Sequence, residues 1–315
     1  MKETYLSRDF RETAAQCFPS QAKGYDMKWA LITGASSGLG EEFAWQLAAE
    51  PLNLVLVARR AHRLEALAGK IRATLGVKVE VLTADLSTAA GQNTVIRRLH
   101  DESRPVAVLV NNAGFGLGQT FVSGDWTQEE KALELMGRAV ARLSWEGARA
   151  MLRRVSRVAP HEPYRKNPTL YRAIQLLRRG VPVSQPHGGG VIINVSSATA
   201  YTAMGTYAAL KTWVRFFSES LSTELRGSGV SVTAVAPGLM HTEFHEAAGM
   251  NVGVWPKISF VDPSLVVQET IEAARRRRAL VTPTIRYKIV LAASRSAPRW
   301  LMRRYFGSHF FNRAL

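Results

Sequence analysis

The 315-residue sequence predicts an α/β protein with one doubly wound parallel sheet and helices on both faces. Three observations predict this fold class. Short Val/Ile/Leu-rich runs alternate with amphipathic stretches, as in repeated strand-helix-strand units. The runs lack the polar alternation of strands that are exposed on one face. Finally, the first run opens directly on a glycine-rich loop, which is typical of nucleotide-binding sheets of this kind.

Seven apolar runs are predicted as buried strands. They are residues 28–33, 53–58, 78–83, 105–111, 190–195, 230–236 and 279–282. The amphipathic stretches predicted as helices are residues 39–50, 60–75, 87–102, 127–156, 206–227 and 264–276. Parallel strands need a crossover connection, and right-handed crossovers place the helices on both faces of a single sheet.

Three segments are expected outside this alternation. Residues 1–26 have no clear periodicity and are expected to be a loosely ordered extension, which makes Met27 a candidate for the natural start. Residues 157–189 form an unusually long connection with a short helical piece near 168–179, and we expect a surface insertion, with a lid as one reading. The sheet domain is then 27–282, and 283–315 is a basic amphipathic C-terminal extension.

The composition indicates the compartment in which the protein is expected. There is no run of eighteen apolar residues, no apolar segment at the N-terminus, and only one cysteine, Cys17. Such a chain is expected in the cytoplasm, without internal disulfides.

The charge is positive and unevenly distributed. The formal net charge is +16, and no acidic residue follows Glu272. The arginines near Trp300 alternate with aromatic and aliphatic residues, which suits peripheral contact with a membrane surface. The alternative is a helix that packs over the substrate cleft or against a second subunit. Nucleic acid is not expected as a partner, because no recognised binding module accompanies the charge.

The glycine-rich loop runs from Thr33 to Gly40, between the first strand and the first helix. Its glycines permit a tight turn and bring the backbone close to a pyrophosphate at the helix N-terminus, where N–H groups and the helix dipole favour phosphate. The sequence therefore predicts a dinucleotide site here.

The end of the second strand predicts which dinucleotide binds. It reads Ala58-Arg59-Arg60, and no acidic residue lies between Pro51 and His62. An acid there would hold the ribose hydroxyls of NAD, whereas an arginine accommodates the 2′-phosphate of NADP. We expect NADP(H), with Arg59 on the phosphate and Ser37 in support. Arg60 is expected to be a solvated residue in the first turn of the next helix.

Tyr207 and Lys211 are a candidate acid/base pair. Residues four apart share one face of a helix. Lowering the pKa of a tyrosine from about 10 to about 7 requires about 4 kcal/mol. One ammonium at about 4 Å, with an effective dielectric of about 20, supplies that amount. The spacing thus predicts that Lys211 prepares Tyr207 to exchange a proton near neutral pH.

Four further motifs follow later strands: Asp85-Leu86, Asn111-Asn112-Ala113-Gly114, Ser196-Ser197 and Pro237-Gly238. Together with the glycine-rich loop and with Tyr207 and Lys211, they resemble the motifs of the short-chain dehydrogenase/reductase family in order and in the element that carries each one, between Met27 and Thr242. The resemblance implies a Rossmann-like fold and hydride transfer between NADP(H) and a carbonyl or alcohol, with lipid-like carbonyls among the candidates. It also implies a homo-oligomer.

The resemblance also implies roles for individual residues. Ser197 would polarise the substrate, Tyr207 would exchange the proton, and Lys211 would also bind the nicotinamide ribose. Asp85 would contact the adenine. The full predicted cofactor-binding set is Gly34, Ser36, Ser37, Gly38, Leu39, Gly40, Arg59, Asp85, Leu86, Asn112, Ala113, Gly114, Tyr207, Lys211, Pro237, Gly238 and Thr242.

The sequence departs from the family pattern at two places. Met136 stands where members usually have an asparagine that anchors a proton-relay water, and a thioether is only a weak acceptor. The spacing from Ser197 to Tyr207 is also a few residues shorter than usual. These departures motivate an alternative function, a catalytically weak NADP-binding regulator or scaffold with a basic tail that binds a membrane or a partner.

A histidine pair raises the question of a metal. His241 and His245 lie four residues apart, but the third ligand is not apparent, and no metal is expected. Since they follow Pro237-Gly238, where family members commonly place a substrate loop, His241 and Phe244 are instead expected near the substrate.

Overall fold

The computed structural model describes residues 27–158, 189–243 and 256–305. The predicted N-terminal extension and nearly all of the predicted insertion therefore lie outside the described residues. The domain boundaries stay a prediction.

One seven-stranded sheet organises the described chain. Its strands are β1 (Trp29–Thr33), β2 (Asn53–Ala58), β3 (Val79–Thr83), β4 (Val106–Asn111), β5 (Gly190–Val195), β6 (Val230–Val235) and β7 (Leu280–Val281). All neighbours pair in parallel, in the order β3-β2-β1-β4-β5-β6-β7. The predicted fold class, a doubly wound Rossmann-like sheet, is confirmed.

Nine α-helices surround this sheet in the described ranges. They are α1 (Gly38–Ala48), α2 (Ala61–Leu75), α3 (Ala89–Leu99), α4 (Trp126–Ala132), α5 (Ala139–Val158), α6 (Gly205–Glu224), α7 (Pro263–Arg275), α8 (Ile285–Ser296) and α9 (Arg299–Tyr305). The single helix predicted over 127–156 is instead interrupted by a π-helical turn, Leu133–Arg138.

Alternate residues of β1 supply two separate cores. Ala30 and Ile32 belong to the cluster that includes α1, α2 and α7 side chains. Trp29 and Leu31 belong to the cluster that includes side chains of α3 and α5. A strand directs successive side chains to opposite faces, so this division places helices on both sides of the sheet.

The strand order reverses between β1 and β4, because the chain builds β2 and β3 on one side and β4 to β7 on the other. Ligands of open α/β sheets bind at such a switch point, beyond the carboxyl ends of the strands. Most of the predicted motifs directly follow β1, β2, β3, β4, β5 or β6, so they share this edge. Within the described ranges, no helix is both long and apolar enough to span a membrane.

Candidate active site

The glycine-rich loop packs directly against the turn after β4. Gly34 has a φ of +67°, and a Cβ on it would lie 2.9 Å from the Cα of Ala113. A Cβ on Gly40 would overlap the carbonyl oxygen of Gly34. The Ser37 side chain does not cap helix α1, so the amides of its first turn are available to an anion. The loop therefore fits a pyrophosphate.

Asn112 holds this loop in place. Its Nδ2 donates to the carbonyls of Thr33, at 2.9 Å, and Gly34, at 3.3 Å. Thr33 Oγ1 in turn accepts hydrogen bonds from the backbone N–H groups of Asn112 and Ala113, at 2.9 and 3.1 Å. In the structure these two predicted cofactor residues thus fix the shape of the loop, and their contact with the cofactor stays a prediction.

Other predicted cofactor residues flank the loop. Leu39 and Leu86 have buried side chains, 7% and 5% exposed, which leaves their backbone as the part that can face a ligand. Asp85 accepts hydrogen bonds from the N–H and hydroxyl of Ser87 at 2.9 and 2.7 Å. Burial opposes its ionisation, but these hydrogen bonds and the charges of Arg59 and Lys131 lower the pKa of Asp85 below its usual value.

The two arginines after β2 differ in their contacts. Arg59 is exposed, and its predicted role on a 2′-phosphate remains untested. Arg60 precedes α2 as its N-cap, and its Nη2 donates to the hydroxyls of Ser36, at 3.2 Å, and Ser37, at 3.0 Å. The prediction of Arg60 as a merely solvated residue is wrong, because its side chain turns back to the glycine-rich loop. The sequence could not tell which of two adjacent arginines does so.

Ser197 and Tyr207 meet at the end of β5. The Ser197 oxygen accepts hydrogen bonds from the N–H of Thr199, at 3.2 Å, and its hydroxyl, at 2.9 Å. A hydroxyl has two lone pairs and one hydrogen, so Ser197 keeps its own hydrogen for the Tyr207 phenol, to which it is hydrogen-bonded. The short connection between them contains the 3₁₀ helix Ala198–Tyr201, and its reduced length does not separate the pair.

Lys211 is oriented differently from the prediction. It is 5% exposed, and its Nζ donates to the carbonyl of Val195 at 2.8 Å. Nζ lies 5.7 Å from the centroid of the Tyr207 ring, over its face. The prediction that Lys211 lowers the pKa of Tyr207 to about 7 is therefore wrong. Burial raises the pKa of the phenol above 10.0, and the Ser197 hydrogen bond only partly offsets that increase.

Lys211 should make the folded state less stable than a neutral side chain would. Burial lowers the pKa of Lys211 from 10.5 to about 8, which corresponds to about 3 kcal/mol. Replacing Lys211 by methionine removes this penalty and loses one hydrogen bond of about 1 kcal/mol. We expect Lys211→Met to raise the free energy of unfolding at pH 7 by about 2 kcal/mol.

The pH dependence of the stability difference between Lys211→Met and the unchanged protein follows from the lowered pKa of Lys211. Below about pH 8 Lys211 is charged in both states and the penalty is complete. Between about 8 and 10.5 the folded state loses its proton first, so the advantage of the methionine shrinks as the pH rises. Urea unfolding of the unchanged protein and of Lys211→Met at pH 7, 9 and 10 measures how the difference in unfolding free energy changes. If the advantage of the methionine variant stayed the same or grew as the pH rises, the buried charge would be contradicted.

Met136 fills the place where the family asparagine was expected. It is fully buried, and its Sδ would lie 3.3 Å from a Cβ on Gly114. It shares a small apolar cluster with Leu117 and Leu210, against which Tyr207 packs. Met136 also sits inside the π-helical turn, an irregularity frequent at functional sites.

The segment after β6 is held by a residue that the sequence did not indicate. The Tyr287 hydroxyl, on α8, accepts from the N–H of Leu239 at 2.9 Å and donates to the carbonyl of Ser259 at 2.7 Å. Its ring lies against Gly238, and Pro237 accepts a hydrogen bond from the N–H of Ala198 at 2.8 Å. The C-terminal part of the chain thus positions the segment predicted to line the nicotinamide.

The end of this segment reaches the glycine-rich loop. Thr242 has its Cβ 3.3 Å from where a Cβ on Gly38 would lie. Glu243 pairs with Arg60 and Arg63, a contact for which the sequence carries no local signal. His241 stacks on Phe260 with ring centroids 3.8 Å apart. The predictions for Phe244 and His245 fall outside the described residues.

Comparison with known proteins identifies related sequences. A family model described as short chain dehydrogenase matches residues 28–158 and 173–252. A very-long-chain 3-oxoacyl-CoA reductase from Scheffersomyces stipitis is 29% identical over 260 residues, 81% of this chain and 68% of that protein. The 17-beta-hydroxysteroid dehydrogenase type 3 of Danio rerio is 26% identical over 292 residues, 90% of this chain and 81% of that protein.

Solved structures with a similar fold are also dehydrogenases. A short-chain dehydrogenase from Sphingobium yanoikuyae in complex with NADPH has a TM-score of 0.68 and 29% identity, covering 85% of this chain and 93% of its own. A bulky-bulky ketone specific alcohol dehydrogenase from Comamonas testosteroni has a TM-score of 0.66 and 25% identity, covering 86% of this chain and 93% of its own.

Proposed function

Because this chain belongs to the short-chain dehydrogenase family of nicotinamide-dependent oxidoreductases, we propose that it is an NADPH-dependent reductase of carbonyl compounds. The observation that carries this proposal is the hydrogen bond between Ser197 and a Tyr207 phenol whose pKa is raised by burial. The phenol is therefore protonated at neutral pH and can act as an acid.

The residues around the loop fit the cofactor. Gly34 and Gly40 keep the backbone close to the turn after β4, and the N-terminus of α1 faces the same place. Bound there, NADPH supplies the hydride, and the protein supplies position and electrostatics. Arg59 and Arg60, at the end of β2, are suited to a 2′-phosphate.

The catalytic roles follow from the hydrogen-bond pattern. Ser197 orients the phenol by donating its hydrogen to the phenol oxygen, and Tyr207 donates its proton to the carbonyl oxygen of the substrate as negative charge develops there. Thr199 keeps Ser197 in this orientation through two hydrogen bonds. Oxidation of an alcohol would need the phenolate, which burial disfavours, so these residues support reduction near neutral pH.

The substrate is proposed to be a bulky, largely apolar ketone. Leu117, Met136 and Leu210 form an apolar cluster against which Phe115 and Tyr207 pack. Phe115 and Tyr207 are only partly buried, so their rings are suited to contact the hydrocarbon part of a substrate beside its carbonyl. The similar proteins include a very-long-chain 3-oxoacyl-CoA reductase and a bulky-bulky ketone specific alcohol dehydrogenase, which supports the same substrate class.

The preference of the protein for NADPH over NADH tests the proposed reductase function. With a panel of aliphatic, steroidal and 3-oxoacyl ketones, we expect kcat/KM for NADPH to exceed that for NADH by about tenfold to a hundredfold. Charge-assisted hydrogen bonds to the 2′-phosphate contribute about 1.5–3 kcal/mol. Arg59→Ala and Arg60→Ala, measured separately, show which arginine carries the preference.

Arg97→Ala is the matched control. Arg97 lies on α3 away from the loop, so this variant should keep the preference. Equal use of NADH and NADPH by the unchanged protein would contradict the proposed NADPH dependence.

A catalytically weak cofactor-binding protein is the second candidate function. The buried thioether of Met136, in place of a polar relay residue, favours it. NADPH binding without turnover of any ketone in the panel would support this candidate. A rate that depends on the Tyr207 hydroxyl would exclude it.

The C-terminal helices support a further proposal of peripheral membrane contact, while a homo-oligomer stays an expectation. Ile285, Ile289 and Trp300 are exposed, with Arg303 and Arg304 close in sequence to Trp300. Apolar and basic groups together suit an acidic lipid surface. Failure of the protein to sediment with acidic vesicles would exclude such contact.

A further inference from the structure

The carboxylate of Glu243 occupies a strongly basic position beside the glycine-rich loop. Arg63 Nη1 donates to both of its oxygens, at 2.6 and 2.8 Å, and Arg60 Nη1 donates to one at 3.2 Å. Arg60 also donates to the hydroxyls of Ser36 and Ser37. Two guanidinium groups therefore hold one bound anion, which is part of the protein itself, and one of them also contacts the hydroxyls of the loop.

This position suits a phosphate as well as a carboxylate. Guanidinium groups bind both kinds of oxyanion in similar geometry. The position also lies just beyond β2, where an arginine accommodates the 2′-phosphate of the cofactor. Hydrogen bonding by Arg63 and Arg60 lowers the pKa of Glu243 and outweighs its burial, so the carboxylate is charged at neutral pH.

Glu243 also connects this position to the nicotinamide side of the site. It directly follows Thr242, which packs on Gly38, and both belong to the stretch that follows β6 and begins at Pro237. Tyr287 fixes that segment at Leu239, and the arginines fix it at Glu243. Release of the carboxylate would remove the contacts of this stretch with the two arginines and leave the contact at Leu239 in place.

We propose that Glu243 is an internal competitor for the 2′-phosphate of the cofactor, and that phosphate binding displaces it and releases residues 240–243 from Arg60 and Arg63. The inference rests on the proposed NADPH dependence. The side chains of Arg60, Arg63 and Glu243 are 41%, 39% and 46% exposed, so the pair is partly screened by solvent and a phosphate can displace it.

Two nucleotides that differ only in the 2′-phosphate test the competition. Calorimetric titration of the full chain with adenosine 2′,5′-bisphosphate and with adenosine 5′-monophosphate separates this phosphate from the nicotinamide. Glu243→Gln should raise the affinity for the bisphosphate about fivefold, the effect expected from loss of one partly exposed ion pair. The affinity for the monophosphate should stay within about twofold.

Glu65→Gln is the matched control, because it removes the same charge from helix α2. Glu65 is 61% exposed and faces Arg72 at 3.8 Å, away from the glycine-rich loop. This variant should bind both nucleotides like the unchanged protein. An equal gain for the bisphosphate in Glu65→Gln would show a general charge effect and overturn the proposal.

Hydrogen exchange provides a readout that is independent of affinity. In the unchanged protein, the bisphosphate should increase exchange at the backbone amides of residues 240–243, and the monophosphate should not. The competition is overturned if the bisphosphate leaves exchange at these amides unchanged, or if Glu243→Gln binds the bisphosphate no more tightly than the unchanged protein does. The proposed NADPH dependence still stands in that case, provided that the bisphosphate binds more tightly than the monophosphate. If it binds no more tightly in any variant, the proposed NADPH dependence fails as well.

Discussion

Replacing Tyr207 by phenylalanine is expected to lower kcat for ketone reduction by about 10²- to 10⁴-fold, the range that a positioned proton donor contributes. The ring and its packing against Leu210 and Met136 are retained, and only the hydroxyl that is hydrogen-bonded to Ser197 is lost. NADPH affinity should therefore change much less than kcat. Steady-state rates and a fluorescence titration of the cofactor measure the two effects.

Tyr201→Phe is a suitable control for this change. Tyr201 is buried in the 3₁₀ helix between Ser197 and Tyr207, and its ring lies beneath the Arg215 guanidinium at 4.4 Å. Loss of its hydroxyl should leave kcat within about threefold, because it is not the proposed proton donor. A Tyr207→Phe enzyme that retained most of its kcat would place the proton donor elsewhere.

Replacing Gly40 by alanine is expected to lower NADPH affinity by about tenfold to a hundredfold and to lower the melting temperature. The added Cβ would overlap the Gly34 carbonyl and approach Asn112 Nδ2 to 2.6 Å. Because the neighbours are the loop backbone and the side chain that holds it, the loop itself must move. Overpacking of this kind typically costs about 1–3 kcal/mol.

Gly69→Ala separates this effect from the general preference of helices for alanine. Gly69 is exposed in α2, and a Cβ there meets nothing within 4 Å. This variant should gain up to about 1 kcal/mol of stability and bind NADPH normally. Normal NADPH binding by Gly40→Ala would show that the loop does not approach the cofactor as proposed.

The sequence predicted the sheet more closely than it predicted the helices. All seven strands were located within one residue at each end, because a strand buried on both faces leaves a continuous apolar run. The π-helical turn at Leu133–Arg138 was not predicted. One extra residue in a helix barely alters an amphipathic pattern, so periodicity does not reveal it.

The sequence named the residues of the candidate site, but it predicted only part of the arrangement of their side chains. The family resemblance implied that Ser197 and Tyr207 act on the same substrate, and in the structure their side chains are hydrogen-bonded to each other. It could not predict that Lys211 turns to the Val195 carbonyl, since spacing fixes the helix face and leaves the side-chain direction open. The bond from Tyr287 to Leu239 joins residues 48 positions apart, beyond any local pattern.

Hydride transfer itself is the central claim, and an isotope label tests it most directly. The protein would be incubated with NADPH deuterated at C4 on either face and with a ketone from the panel, and the product analysed by mass spectrometry. We predict that one face delivers deuterium to the carbinol carbon, and that Tyr207→Phe greatly slows this transfer. Tight NADPH binding with an unlabelled product, or with no product from any ketone, would contradict the proposed reductase.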